Sequence, residues 1–404
     1  MVDFRDSDEV AKFRAEVRAF VHAHHPPALA EDARYGSGWG AYVGAYSREE
    51  RERLTAPWRE AMVAKGWIAP ALPKQYGGAD LSPLEQAVLN EEFAALYATP
   101  VSIRSDLASV LMIHGSDEQK AAYLPGLLSG KVRWAQGYSE PGAGSDLASL
   151  QTRATRDGDD FVINGQKIWT SGAARAQWLF GLFRTDPDAP KHRGISYLLL
   201  PLTSHGITVR PLGQMTGESE FNEVFFEDVR VPTTNLVGEL NRGWYIGATL
   251  LDFERSNIGN AVGTRMTVES LRDFLVEERD AATGRSRLAE PSIRAAVAER
   301  FIDAEVAGIF SYRVISMHAR GLVPNQEASV GKLFTTEMMH RIGNTAVKAL
   351  GLYGALADPN DPRAPQRTRW PQYYMGATAA TIGGGTSEIQ RNIIATRGLG
   401  LPRG

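Results

Sequence analysis

Residues 133–238 break the helical periodicity that governs the chain on both sides of them, and that interruption limits the folds open to it. Within the block, "TRATRDGDDFVINGQKIWTSG" carries the pairs Asp157-Gly158 and Asn164-Gly165 between short β-prone runs, and each pair reads as a hairpin turn. "QWLFGLFRT", "GISYLLLPL", "GITVRPL" and "NEVFFEDVRVP" follow, so six or so closely spaced strands are expected, forming a small sandwich or barrel. Upstream, Val10, Phe13, Val17, Phe20 and Val21 recur at helical spacing, and "SPLEQAVLNEEFAALYA" and "DEQKAAYLPGLLSG" do the same. Helical spacing returns after residue 241 and runs almost to the end, with one Pro-rich loop at 357–372. The expectation is a mainly α protein with a central β-barrel. An N-terminal helical domain would cover 1–132, a middle β domain 133–240 and a C-terminal helical bundle 241–404.

Composition removes several classes of function. A formal net charge of -3 leaves no basic excess to neutralise nucleic-acid phosphates. With Cys 0, thiol catalysis, disulfides and iron–sulfur ligation are out, and eight scattered His make no zinc site, so no metal is expected. The first residues, "MVDFRDSDEVAKFRAEVRAFVHAHH", have no apolar core of a signal peptide, and no run reaches the ~18 apolar residues of a membrane span. A cytoplasmic enzyme with no membrane insertion is the expectation.

Three stretches carry the chemistry. "YSEPGAGSD" (138–146) is rich in small residues that expose backbone N–H groups, and Ser139 and Ser145 add hydroxyls able to hold a pyrophosphate or a polar ring edge; such stretches are also common as plain tight turns. "NGQKIWTSGA" puts Trp169 before Thr170 and Ser171, a flat apolar face beside hydroxyls, although a Trp in a strand is more often core. "TIGGGTSEIQRNI" (381–393) has no Lys after its glycines and so is no nucleotide-hydrolase phosphate loop. Ser387 and Gln390 fit a capping box ahead of an apolar face of Ile389, Ile393 and Ile394, and the glycines suit close backbone approach.

Taken in order, "YSEPGAGSD", "NGQKIW", "VFFEDVRVP" and "GGGTSEIQRNIIA" resemble the acyl-CoA dehydrogenase family of flavoproteins over nearly the whole chain. The resemblance implies FAD between the β domain and the C-terminal bundle. Gln136, Tyr138 and Ser139 would face the flavin, Ser145 the pyrophosphate and Trp169 the ring. Ser171 would supply a hydroxyl near flavin N5, and Thr386 and Glu388 would complete the pocket. It also implies α,β-dehydrogenation of an acyl-CoA thioester to the 2,3-enoyl-CoA, with an electron-transferring flavoprotein as acceptor. A flavin oxidase or monooxygenase on the same fold, and a catalytically silent subunit, are the competing readings.

Many family members carry the catalytic Glu in the loop before the last helix, where this chain has Gly384. Another branch places it one residue before an Arg on the first helix after the β domain, which here is Glu254 before Arg255. The resemblance therefore makes Glu254 the base and Asp252, Phe253 and Arg255 its neighbours at the acyl-CoA site. Homo-oligomeric members complete the FAD site with an Arg and a Gln from a neighbouring subunit. Here "EERDAATGRSRLAEPSI" lacks the aromatic-glycine turn, with only Arg285 or Arg287 nearby, and Lys348 stands where the Gln is expected. The chain so resembles the catalytic-Glu subunits of actinobacterial heteromeric dehydrogenases of steroid side-chain thioesters. A second, related subunit in an α2β2 complex is expected, with a homo-oligomer as the alternative.

Overall fold

The computed structural model describes residues 6–34, 36, 41–101, 103–248, 260–280 and 283–402. Before the sheet come α1 (Asp8–His24), α2 (Pro27–Ala33), α3 (Arg48–Lys65), α4 (Pro83–Ala95), α5 (Ser105–His114) and α6 (Asp117–Leu128). After it come α7 (Asn260–Glu277), α8 (Pro291–Ala319), α9 (Gln326–Leu350), α10 (Arg369–Ala380) and α11 (Ser387–Ile393). Several of the early helices start where their sequence says they should. Ser82 and Glu85 exchange capping bonds (3.3 and 2.8 Å), as do Ser116 and Gln119 (3.2 Å each), which satisfies N–H groups that no helical carbonyl reaches. No helix among the described residues is long and apolar enough to cross a membrane.

The chain forms two compact units, one of Met1–Ala61, Leu81–Pro100 and Arg255–Gly404, the other of Met62–Asp80 and Val101–Glu254. In the first, Glu92 on α4 is almost wholly buried and accepts from Arg14 (2.7 Å) and Arg18 (2.6 Å) on α1, so charge-assisted bonds join the two helices. Its larger core is built from Val268, Leu271 and Leu275 of α7, Met338, Ile342 and Ala346 of α9, and Trp370 and Ala377 of α10. The Pro-rich loop is shorter than the sequence implies, because α10 already begins at Arg369.

The second unit holds the sheet: β1 (Trp134–Gly137), β2 (Arg153–Asp157), β3 (Asp160–Lys167), β4 (Trp178–Arg184), β5 (Ile195–Pro201), β6 (Ile207–Pro211), β7 (Asn222–Pro232) and β8 (Leu236–Val237). The order is β6-β7-β3-β2-β4-β5-β8, with β1 paired in parallel to β4. The terminal strands β6 and β8 are not bonded to each other, so the sheet is open and the expected barrel closure is not found. Every residue of β4 from Leu179 to Phe183 is buried, and β5 is buried from Ile195 to Leu200, which marks strands covered on both faces.

One of the two expected hairpins forms. Asp157 and Asp160 pair across Gly158, whose φ of 62° suits the turn. The other does not: Asn164-Gly165 lies inside β3, where the register against β7 shifts between Ile163 and Gly165. This is a β-bulge, and it requires glycine because a Cβ at Gly165 (φ 141°) would lie 2.8 Å from Thr152 Cα. The Asn164 side chain secures the bulge by exchanging bonds of 2.9 Å with Asp228.

Candidate active site

Two segments of the sheet unit meet at the candidate site. From β1 the chain passes through Tyr138 and Ser139 into the Pro141-Gly142 turn, which Glu140 and Ala143 close with two reciprocal backbone bonds of 3.0 Å. From β3 the chain leaves through Ile168, whose N–H donates to Ser139 O at 2.9 Å. Next comes Trp169 with φ 59°, a left-handed conformation that costs a bulky L-residue roughly 1–2 kcal/mol. Its side chain is 57% exposed, and Phe221 meets it at right angles rather than stacked upon it. The next residue is pinned in the opposite sense. Thr170 is fully buried, its N–H donates to Asn222 O (3.0 Å), and its carbonyl accepts from Asn222 Nδ2 (2.9 Å). Ser171 follows, exposed. The unit therefore holds a large flat ring out from its surface beside a free-standing hydroxyl, at a backbone conformation that local preference opposes. Such strain persists only where surrounding structure imposes it, and it concentrates at functional sites.

Beneath these residues lies an ion pair. Lys167 is 0% exposed, and its ammonium donates to Glu140 Oε1 (2.8 Å) and to Tyr138 O (3.1 Å). The Glu140 carboxylate also accepts from the backbone N–H of Gln151 (2.6 Å) and Thr152 (2.9 Å). Burial pushes the Glu140 carboxyl up, but the Lys167 charge and these bonds outweigh it and hold its pKa below the ordinary value. Burial pulls the Lys167 ammonium down, against the pull of Glu140. This pair ties the Tyr138–Ser139 segment after β1 to the strand leading to Trp169.

The other expected residues of this unit fall into distinct environments. Gln136 is half-buried, and its Oε1 accepts from Arg104 Nη2 at 3.1 Å; Arg104 in turn pairs with Asp106 and lies 4.9 Å above the Phe180 ring. Tyr138 is buried, packed at right angles to Phe180 and Tyr197. Ser139 is half-buried and Ser145 exposed, followed by Asp146, which pairs with Lys191.

Thr386 and Glu388 belong to the other unit. The capping box expected at Ser387 does not form, and the cap lies one residue earlier. Thr386 has the extended backbone of an N-cap (φ -61°, ψ 162°) and accepts from Ile389 N (3.3 Å), while Ser387 is already helical and buried. Gln390 then sits one position too late to close the box and turns back instead, donating to Gly384 O at 3.0 Å. Glu388 is exposed in the first turn, where its own N–H and the Thr386 hydroxyl keep its carboxyl below the usual range. Asp252, Phe253, Glu254 and Arg255 lie outside the described residues. Lys348 is exposed in the last turn of α9, Arg285 is exposed, and Arg287 pairs with Asp280 at 3.4 Å. Among the described residues no three His, Asp or Glu side chains gather as metal ligands.

Sequence reasoning missed Glu140, Lys167, Arg104 and Lys332 of α9. The first two stand inside the quoted motifs, Glu140 between Ser139 and Pro141 and Lys167 between Gln166 and Ile168, and no local pattern marks either as buried.

Comparison with known proteins gives a consistent result. The chain matches the acyl-CoA dehydrogenase N-terminal domain over residues 7–131, the middle domain over 135–229 and the C-terminal domain over 241–399. It is 35% identical over 401 residues to acyl-CoA dehydrogenase IpdE1 of Mycobacterium tuberculosis, covering 98% of each chain. Among solved structures it is similar to the Tcur3481-Tcur3483 steroid ACAD (TM-score 0.83, 35% identity, 100% of both chains). It is also similar to the ChsE4-ChsE5 complex from Mycobacterium tuberculosis (TM-score 0.82, 32% identity, 100% of both chains).

Proposed function

The chain belongs to the acyl-CoA dehydrogenase family, and from that premise we propose that it binds FAD and converts a bulky acyl-CoA thioester to its 2,3-enoyl-CoA, with Glu254 as the base. The observation that carries the cofactor reading is Trp169: an exposed, strained aromatic beside the exposed Ser171 hydroxyl fits an isoalloxazine ring, which needs one flat apolar wall and hydrogen-bond donors at its edge. Gln136, Tyr138 and Ser139 would hold the ring, Ser145 the pyrophosphate, and Thr386 and Glu388 the remaining wall. Bound there, FAD would accept the β-hydrogen with its electron pair, and an electron-transferring flavoprotein would reoxidise it.

The chain's own part is proton removal. The α-hydrogen of a thioester is a very weak acid, so a carboxylate has to take it as the β-hydrogen leaves. Glu254 is suited to this by its place before Arg255, with Asp252 and Phe253 lining the acyl-CoA site. Gly384 supports the assignment from the other side: a Cβ built there meets nothing within 4 Å, so the loop has room for a side chain that this sequence omits. A bulky acyl group agrees with that bare loop, and the similarity to a steroid ACAD points to a polycyclic one. Screening CoA thioesters for bleaching of the flavin absorbance tests the assignment. A protein that binds FAD and is bleached by none of them would overturn it, and oxygen uptake in place of carrier reduction would make it an oxidase.

The loop gives a reciprocal test. Gly384→Glu, added to an inactive Glu254→Gly chain, is expected to restore measurable thioester-dependent flavin reduction. The left-handed φ of 65° at Gly384 limits the gain, since a non-glycine residue is strained there by roughly 1–2 kcal/mol. A double variant that is folded, FAD-loaded and wholly inactive counts against a shared reaction centre.

The second subunit is part of the same reading. One chain carries neither the Arg with an aromatic-glycine turn nor the Gln by which an identical neighbour would cover the adenine half of FAD. Expressed alone, the protein is expected to be flavin-poor. With a related subunit bearing those residues it should form an α2β2 complex holding one FAD per heterodimer and melting higher, because cofactor bound only to the folded state stabilises it. Native mass and flavin absorbance per chain measure this. A homo-oligomer with one FAD per chain and full activity removes the partner from the proposal.

A further inference from the structure

We propose that Lys332 is a positioning residue that holds the glycine loop 383–385 as a fixed backbone edge of the thioester pocket; the functional half rests on the dehydrogenase reading above. The geometry is that of a clamp. From α9, Lys332 Nζ donates to Ala380 O at the end of α10 (3.2 Å) and to Gly385 O (2.7 Å). From α11, Gln390 Nε2 donates to Gly384 O (3.0 Å) and Gly385 O (3.4 Å), and Gln390 is 1% exposed. One ammonium and one amide thus gather the Gly384 and Gly385 carbonyls to the loop's inner side.

The two left-handed glycines serve this arrangement differently. At Gly385 (φ 90°) a Cβ would lie 2.7 Å from Gln390 Nε2, so any side chain would displace the clamp. At Gly384 (φ 65°) a Cβ meets nothing within 4 Å, so this face of the loop is bare backbone. A segment with no side chains has nothing of its own to pack, and glycine has the most conformational freedom to lose on ordering. Backbone bonds hold its two ends, Gly383 N to Ala379 O (3.0 Å) and Ser387 N to Thr381 O (3.1 Å), and Lys332 and Gln390 hold the Gly384 and Gly385 carbonyls between them.

Lys332 is retained at a cost. Burial pushes its pKa down to about 8, against the opposing pull of Glu337 on its own helix and Glu388 on α11. If the ammonium serves stability alone, its removal shows in the melting temperature, through the Ala380 and Gly385 carbonyls that lose a donor, and not in KM. If it holds the loop, its removal shows in loop exchange and in KM. The two roles predict different outcomes for the same substitution.

The test uses the FAD-loaded enzyme, with its partner subunit where one is required, carrying Lys332→Met or Lys332→Arg. Backbone amide exchange over 381–388 is read without substrate, and KM and kcat are read with the CoA thioester that bleaches the wild type best. Lys332→Met is expected to leave the melting temperature within a few degrees of wild type. It should speed exchange in the loop about tenfold and raise KM about tenfold, with a smaller change in kcat. Lys332→Arg, which keeps donors in reach of both carbonyls, is expected to recover most of each loss. Unchanged exchange in folded Lys332→Met overturns the clamp. Faster exchange with unchanged KM overturns the loop's role at the pocket. Should Lys332→Met not fold, a Lys332→Arg enzyme with a KM raised as far as that of a Gln390→Ala enzyme overturns the proposal, because the conservative variant would then rescue nothing. If no thioester bleaches the wild type, the dehydrogenase reading fails, and the exchange measurement still decides the clamp.

Discussion

Glu254→Gln is expected to leave FAD and thioester binding intact while slowing thioester-dependent flavin reduction by on the order of 10²–10⁴. Glutamine matches glutamate in size and hydrogen-bonding reach, so the pocket keeps its shape, but an amide does not accept a proton from carbon at neutral pH. The slowing corresponds to roughly 3–5 kcal/mol of barrier, as each tenfold in rate is about 1.4 kcal/mol. Loss of one transition-state contact reaches only the lower end of that range, whereas loss of the base spans it with thioester binding intact. Rapid mixing of oxidised enzyme with thioester under anaerobic conditions isolates the step from substrate binding and from carrier reduction. A variant that reduces its flavin at close to the wild-type rate removes Glu254 from the mechanism and moves the search to acids of the partner subunit.

Lys167→Met is expected to destabilise the sheet unit by about 3–5 kcal/mol, because removing one member of a buried pair leaves the other charge without compensation. Glu140 is 8% exposed, and with methionine opposite it retains only the N–H groups of Gln151 and Thr152. The same substitution strips a donor from Tyr138 O, so the Tyr138–Ser139 segment should loosen against the segment leading to Trp169, and FAD affinity should fall along with the denaturation midpoint. The double variant Glu140→Gln/Lys167→Met is expected to recover a large part of the stability, since no charge then remains buried. Midpoints in urea and flavin retention in dialysis read the two effects. A single variant as stable as the wild type, with its flavin held as tightly, shows that the pair neither stabilises the unit nor braces the site.

Much of this protein was legible in its sequence. The helix–strand–helix order and the hairpin at Gly158 both depend on residues within a few positions of one another. Hydrogen-bond reach and side-chain periodicity act at that range. The motifs stand out in the sequence for another reason: glycines, small residues and an aromatic before two hydroxyls restrict the backbone chemistry wherever they occur. The tertiary structure decided whatever depends on partners far along the chain. Asn164-Gly165 has the composition of a turn, yet β7 pairs along its whole length and makes it a bulge. Ser387 has the composition of a cap, yet Thr386 takes that place, and Gln390 turns to carbonyls that only the folded loop brings within reach. Trp169 stands out in a left-handed conformation because Ser139 and Asn222 fix the chain on either side of it. Lys167 becomes a brace because folding carries Glu140, 27 residues away, to its ammonium. Lys332 becomes a clamp because Gly385, 53 residues away, arrives at it. A charge on a local pattern reads as a solvated surface, and only burial, which is a property of the packed chain, turns it into a constraint strong enough to shape a site.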